Sequence, residues 1–192
     1  MQPAMRPVGC EPYPFLGEAI RMQMKKVIST EITETNIAQV IELLSNTPRK
    51  LEDVLSRFSD EQLKKPLGKG ERSLTENLAH LLHCEARSSE CIYLALLKDQ
   101  ATYEDIHPER EFGKLIRYDL FSFKSLLDYF IFRRTALLRV LSSLKAEQWA
   151  RSISEKGKKR KESVYWRARS MSLHELEHLN AIENFLAKPK TK

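Results

Sequence analysis

The chain has 192 residues, of which 42% are hydrophobic, and it carries a formal net charge of +6 at pH 7. This apolar content is enough to bury a core, so the composition excludes a globally disordered chain. Three cysteines are an odd and sparse set for a disulfide framework and favour a reducing compartment. No run approaches the roughly 20 apolar residues that span a bilayer, and the N-terminus lacks the apolar core of a secretory signal. We therefore expect a cytoplasmic protein with no membrane partner.

Much of the excess positive charge lies in two short segments, residues 156–161 and the tail 188–192. A basic run of this length is a weak nucleic-acid signal, and the other charges mix both signs, as solvated helix faces usually do. Nucleic-acid binding through 156–161 is therefore the weakest of the functional hypotheses, and we expect no nucleic-acid partner.

Residues 1–33 are predicted to form a flexible leader, because prolines stand at positions 3, 7, 12 and 14 and no apolar periodicity is sustained. Met24 lies just before the first convincing helix, so a natural start at this residue is a hypothesis. The folded domain is expected over 34–187, followed by the basic tail 188–192.

Apolar residues recur at helical spacing from Asn36 to Phe58 and predict the first long helix. Within this stretch, Thr47 and Pro48 predict a cap and a first-turn proline for its continuation, with a kink at the proline. Proline and glycine at 66–70 then predict a loop.

The second helix is predicted to begin at Ser73, because a glutamate three residues later completes the capping-box spacing, and to run to about Lys98. A polar loop should follow, ending near Arg117 and acting either as a lid or as a crossing between helices.

The third helix is expected over 120–144, with Phe121 among its core residues and Trp149 packing on its end. Residues 151–162 are charged and contain Gly157, so a loop is expected there. The fourth helix is expected over 163–187, with His178 on its inward stripe. Four long helices with polar connections predict an all-α four-helix bundle, whose antiparallel helices are joined by one or two long connections.

The motif His174-Glu-Leu-Glu-His178 places two imidazoles one helical turn apart, where both can bind one ion. His80 falls on the inward region of the second helix, so antiparallel packing could bring it opposite the pair. Three neutral nitrogens would suit zinc, nickel, cobalt, iron or manganese. Spacing alone leaves open that these histidines fill polar corners of the bundle. A zinc protease is poorly supported, although Glu175 follows His174, because the chain ends soon afterwards.

A wider pattern resembles the DinB-like superfamily and extends from Thr47 to Phe185. Its main part is the run from Ser73 to Glu85 (SLTENLAHLLHCE), followed by His-x-x-x-His on the last helix; residues 58–63 and 129–144 add to it. The resemblance implies a four-helix bundle that holds a divalent metal on one histidine of helix two and two of helix four. The residues at those positions are His80, His174 and His178.

The chain departs from the family pattern at three positions. Arg72 replaces a tryptophan, His83 replaces an acidic residue, and Ala181 replaces a glutamine. These changes put the usual surroundings of the metal in doubt. His83 and Cys84 could each supply a fourth ligand or orient a water, or could simply be a packed histidine and a buried inert thiol.

Three glutamates, Glu85, Glu175 and Glu177, could accept from ring N–H groups, but we expect ordinary helix-surface carboxylates.

The resemblance implies a metal-dependent enzyme, because characterised relatives include thiol transferases and isomerases that use a low-molecular-weight thiol. We expect either a thiol S-transferase or a hydrolase with a small-molecule substrate, and a homodimer is a further expectation. The alternative is a non-catalytic, metal-binding stress-response bundle. A fourth protein ligand would favour that alternative, whereas an open position would favour an enzyme.

Overall fold

The computed structural model describes residues 28–104 and 113–187, without the side chains of Lys114 and Asp119. In chain order its elements are α1 (Glu34–Arg57), α2 (Asp60–Leu63), α3 (Leu74–Leu97), β1 (Ala101–Tyr103), α4 (Gly113–Ile116), a 3-10 turn (Tyr118–Leu120), α5 (Phe123–Ser143), α6 (Ala146–Trp149), β2 (Ser152–Glu155), β3 (Lys161–Ser163) and α7 (Val164–Leu186). Most of the predicted leader, the centre of the loop before Arg117 and the basic tail lie outside these residues. No helix in the described part of the chain is both long and apolar enough to cross a membrane.

The four long helices α1, α3, α5 and α7 confirm the predicted four-helix bundle. Each begins after a serine or threonine whose hydroxyl accepts a hydrogen bond from the first turn. The predicted capping box is present, since Ser73 Oγ accepts from Glu76 N at 3.1 Å and Ser73 N donates to Glu76 Oε2 at 2.7 Å. The start of α3 was therefore correctly predicted from its capping box, whereas α5 begins at Phe123, three residues after the predicted start.

The apolar core consists of two clusters with a polar layer between them. Both α1 and α3 pack against α5 and α7. Along each long helix, residues of one apolar cluster give way to residues of the other at a buried polar side chain. These side chains are Thr47 on α1, Glu85 on α3, Arg134 on α5 and Glu175 on α7. One polar residue from every long helix thus meets in the middle of the bundle.

Arg134 is the centre of this polar layer and is only 1% exposed. Its Nη1 donates to Glu175 Oε2 at 2.9 Å, and its Nη2 donates to Glu175 Oε1. Thr47 Oγ1 donates to the same Glu175 Oε2 at 2.8 Å, and Glu85 Oε2 lies 3.5 Å from Arg134 Nη2. Since a buried charge is tolerated only when it is paired and hydrogen-bonded, these contacts fix how the four helices meet.

Pro48 explains a further contact of the guanidinium. A proline inside a helix has no N–H to give to the carbonyl four residues earlier, here that of Leu44. Arg134 Nη1 donates to Leu44 O at 2.7 Å and so supplies the missing hydrogen. The predicted cap at Thr47 is therefore wrong, because α1 is one continuous helix with Pro48 inside it.

A small three-stranded sheet replaces two of the predicted loops. β2 pairs in parallel with β1 and antiparallel with β3, so the order is β1-β2-β3. Ala101 and Ile153, which are paired, are buried against the core, while the neighbouring side chains are largely polar. The prediction of a plain loop over 151–162 is wrong because strands of three or four residues are too short for alternation to be visible. Gly157 does lie between the strands, with φ +82°.

Three apolar side chains at the ends of the predicted segments show where the expectations and the structure differ. Trp149, which was expected to pack on the end of the third helix, lies in the apolar core at 2% exposure. Phe121 was expected in the core but is 45% exposed, because α5 begins only after the cap Ser122. At the end of the predicted leader, Ile28 is buried, and its carbonyl accepts from Arg169 Nε at 2.9 Å. This end of the predicted leader therefore packs against α7.

The polar layer predicts an unusual dependence of stability on pH. Burial, opposed by Arg134 and assisted by Glu175, raises the pKa of Glu85 from 4.5 to about 7. The folded state therefore keeps a proton that the unfolded state releases, so this group's contribution to stability is lost as pH rises from about 4.5 to about 7. In Glu85→Gln this loss should disappear, leaving the variant more stable than the wild type above pH 7 by up to about 3 kcal/mol.

The measurement is the free energy of unfolding by chemical denaturation across this pH range, with a chelator present. Taking the difference between wild type and variant removes the contribution of the other titrating groups. Glu147→Gln, at an exposed position, is the control and should leave the pH dependence unchanged. Parallel curves for the wild type and Glu85→Gln would refute a protonated Glu85.

Candidate metal centre

The candidate site lies where α3 and α7 pack together. Asn77 near the start of α3 contacts His178 near the end of α7, so the two helices run antiparallel as predicted. His174 and His178, one turn apart on α7, face His80 on α3. The Nε2 atom of His174 lies 3.2 Å from His80 Nε2 and 3.2 Å from His178 Nε2. The structure thus brings together all three histidines singled out from the sequence.

Their arrangement fits a divalent metal ion. One donor nitrogen from each of the three rings lies within 4.8 Å of the others. An ion about 2.1 Å from two imidazole nitrogens, at octahedral or tetrahedral angles, separates those nitrogens by roughly 3.0–3.4 Å. The observed spacing of 3.2 Å falls in this interval. The donor set therefore suits a borderline ion such as zinc, with further coordination positions left for other ligands.

Burial is uneven across the three rings. His80 and His178 are 4% and 5% exposed, whereas His174 is half-buried. Burial, followed by the neighbouring His174 and His80 and the charge of Arg72, lowers the pKa of His178 from 6.5 to about 2. His178 is therefore neutral, the form in which an imidazole can bind a metal.

Asn77 is a site residue that the sequence reasoning missed. Its Oδ1 lies 3.3 Å from His178 Nδ1, on the side of the ring away from the converging Nε2 atoms. Its Nδ2 donates to Ser73 O at 2.9 Å. Asn77 precedes His80 by three residues, so the helical spacing that places both side chains on neighbouring positions of α3 was the available signal.

His83 and Cys84 were the two candidates for a fourth ligand. The ring of His83 is buried and lies against Tyr118, with 4.6 Å between the ring centroids, which fits a packed histidine. Cys84 is half-buried, and its Sγ lies 3.7 Å from Nε2 and 3.9 Å from Nδ1 of His80. Among the described residues, neither belongs to the group of mutually close donors that the three histidines form.

Two of the three glutamates near the histidines are not on the surface, so that expectation is wrong. Glu85 is 0% and Glu175 is 1% exposed, and both belong to the polar layer around Arg134. Both oxygens of Glu175 accept hydrogen bonds: Oε1 accepts from Arg134, and Oε2 accepts from Arg134 and Thr47. Glu175 is therefore engaged in the core and does not act as the base of a zinc-protease motif. Glu177 is half-buried.

Comparison with known proteins agrees with this fold. YfiT from Bacillus subtilis, described as a probable metal-dependent hydrolase with an unusual four-helix bundle topology, matches with a TM-score of 0.72 at 17% sequence identity. The match covers 82% of this chain and 89% of YfiT. A comparison with curated protein sequences finds no match. The family model of the DinB superfamily matches residues 43–182, a range that includes all three histidines. The chain belongs to the DinB superfamily.

Proposed function

We propose that this protein is a divalent-metal-dependent enzyme that acts on a small molecule at an open three-histidine site. The observation that carries the proposal is the convergence of three imidazole nitrogens, one of which belongs to the half-buried His174. Two buried ligands and one at the edge would hold an ion firmly while leaving one side of it accessible. A cytoplasmic location and a homodimer are part of the same proposal.

His80, His174 and His178 would hold the ion, which could be zinc, nickel, iron, cobalt or manganese. When bound, such an ion acts as a Lewis acid and favours the deprotonated form of a water or a thiol. The protein's own part is to keep His178 neutral and to orient its ring. Burial of His178 serves the first purpose, and the contact of its Nδ1 with Asn77 serves the second.

Two reactions use this chemistry, hydrolysis and transfer of a thiol to an electrophile. The description of YfiT as a probable metal-dependent hydrolase favours hydrolysis. Transfer from a low-molecular-weight thiol is supported by the family resemblance. The two can be separated by assaying the metal-loaded protein with simple esters and amides, and with several cellular thiols plus a generic electrophile.

The assay requires a variant that lacks the site, and His178→Ala serves this purpose once circular dichroism shows that it is folded. Activity of the metal-loaded wild type that is absent from both the chelated wild type and His178→Ala would support an enzyme. If the metal-loaded wild type turns over neither the esters and amides nor the thiols, the non-catalytic metal-binding bundle is favoured.

A fourth protein ligand would favour the non-catalytic alternative, and Cys84 is the nearest candidate. Its Sγ distance of 3.7 Å from His80 Nε2 matches two ligands of one tetrahedral zinc, which lie roughly 3.6 Å apart. A sulfur on the same ion would, however, lie roughly 5 Å from Nδ1 of that ring, given these bond lengths. The observed distance is 3.9 Å, so the thiol lies beside the ring and outside the ligand position.

The first prediction of the proposed function concerns the metal content of the protein. Protein purified without a nickel column should carry about one divalent ion per chain, and His80→Ala and His178→Ala should lose it. The loss of metal affinity should exceed the roughly 10–100-fold loss caused by removing a residue that only supports a ligand. Elemental analysis measures the metal content, and competition with a chromophoric chelator measures the metal affinity. His83→Ala is the matched control and should retain the ion; full retention by His80→Ala would contradict the proposed site.

The state of Cys84 is the second prediction. The cobalt-substituted wild type should lack the near-ultraviolet thiolate-to-cobalt charge-transfer band, and its visible spectrum should be unchanged in Cys84→Ser. This follows because the sulfur lies beside the His80 ring, 3.9 Å from Nδ1. A strong charge-transfer band that disappears in Cys84→Ser would mean a closed four-ligand site and would favour the non-catalytic bundle.

A further inference from the structure

We propose that Asn77 is a positioning residue that sets the tautomer of His178, with the hydrogen on Nδ1 and the lone pair on Nε2. The proposal about the ring hydrogen stands on the hydrogen-bond geometry alone. Its consequence for metal binding rests on the function proposed above.

Ser73, the N-cap of α3, fixes the orientation of the Asn77 amide. The carbonyl oxygen of Ser73 can only accept hydrogen bonds, and it already accepts from Asn77 N at 3.0 Å, as the helix requires. The side-chain atom of Asn77 that lies 2.9 Å from the same oxygen must therefore be the NH₂ group. The reciprocal bonds between Ser73 and Glu76 hold this turn in place. The helix cap thus decides which way the amide points.

With the NH₂ group committed to Ser73, the amide oxygen faces His178. Asn77 Oδ1 lies 3.3 Å from His178 Nδ1, and both side chains are buried, at 3% and 5% exposure. An amide oxygen is only an acceptor, so Nδ1 must carry the hydrogen. The other tautomer would bring two lone pairs together in a buried place, where the loss of a hydrogen bond is costly.

The hydrogen on Nδ1 determines what the other nitrogen can do. Nε2 of the same ring faces His174 Nε2 at 3.2 Å, and in the neutral ring it now carries a lone pair. A hydrogen on Nε2 would point into the space where the three nitrogens converge and would block an ion there. A partner on the far nitrogen is the usual way in which proteins orient a metal-binding histidine.

Two substitutions separate this role from simple packing. Asn77→Asp keeps an acceptor for Nδ1–H but loses the amide NH₂ group, whereas Asn77→Leu keeps a similar volume without an acceptor. Asn180→Leu, on the half-buried part of α7, makes the same chemical change two residues from His178 and is the control.

The direct test is the nitrogen chemical shifts and long-range couplings of His178 in the metal-free protein, assigned by their loss in His178→Asn. The wild type, Asn77→Asp and Asn180→Leu should all show the Nδ1–H tautomer. Asn77→Leu should show a mixture or the Nε2–H form. An Nε2–H ring in the wild type, or an unchanged tautomer in Asn77→Leu, would overturn the proposal. The wild-type spectrum decides the point even where Asn77→Leu does not fold.

Zinc affinity provides the second readout, with the stability of each metal-free variant measured alongside. Asn77→Leu should bind zinc about 10–100-fold more weakly, while Asn77→Asp stays close to the wild type or binds more tightly. Equal affinity in Asn77→Leu would overturn the positioning role. If the wild type shows the Nδ1–H tautomer but binds no divalent ion, the proposed function fails while the assignment of the ring hydrogen stands.

Discussion

The fold depends on one buried guanidinium. Arg134 lies between two apolar clusters, where an unpaired charge would cost more than a domain of this size can tolerate. Each of the other long helices therefore brings an acceptor or a carboxyl group close to it. α1 gives the Leu44 carbonyl that Pro48 leaves without a hydrogen, α7 gives Glu175, which Thr47 also contacts, and α3 places Glu85 Oε2 3.5 Å away. Burial of the apolar clusters drives folding, and this polar layer sets the axial register of the four helices.

The same layer positions the candidate metal centre without contributing a donor to it. Glu175 follows His174 directly and precedes His178 by three residues, so its paired contact with Arg134 fixes the rotation of α7 about its own axis. With the carboxylate turned toward α5, the two imidazoles turn toward α3 and meet His80. A change at Arg134 should therefore disturb the site through the orientation of α7, even though the guanidinium touches none of the histidines.

Whether a feature of the fold or of the site could be predicted from the sequence depended on how far apart in the chain the interacting residues lie. Caps such as Ser73 and the pair His174 and His178 are local, so spacing predicted them. Placing His80 opposite that pair needed the family resemblance, because the sequence does not state how two distant helices pack. The partners of Glu175 lie 128 residues away at Thr47 and 41 away at Arg134, and for this reason a buried carboxylate was mistaken for a surface one. The short charged strands were missed because pairing across the sheet, and not their own pattern, makes them strands.

The site has an inner and an outer side, and this asymmetry bears on its chemistry. On the inner side His178 is buried, and Asn77 and the cap of α3 fix its orientation. On the outer side His174 is half-buried, and the Cys84 thiol lies beside the His80 ring without reaching the ligand position. Under the proposed function, a substrate would approach on the side of His174, while the buried side holds the rings. A site meant only to stabilise the bundle would have no reason to leave one ligand at its edge, because a closed shell of four protein donors binds more firmly. The half-buried position of His174 therefore favours the proposed enzyme over a purely structural ion.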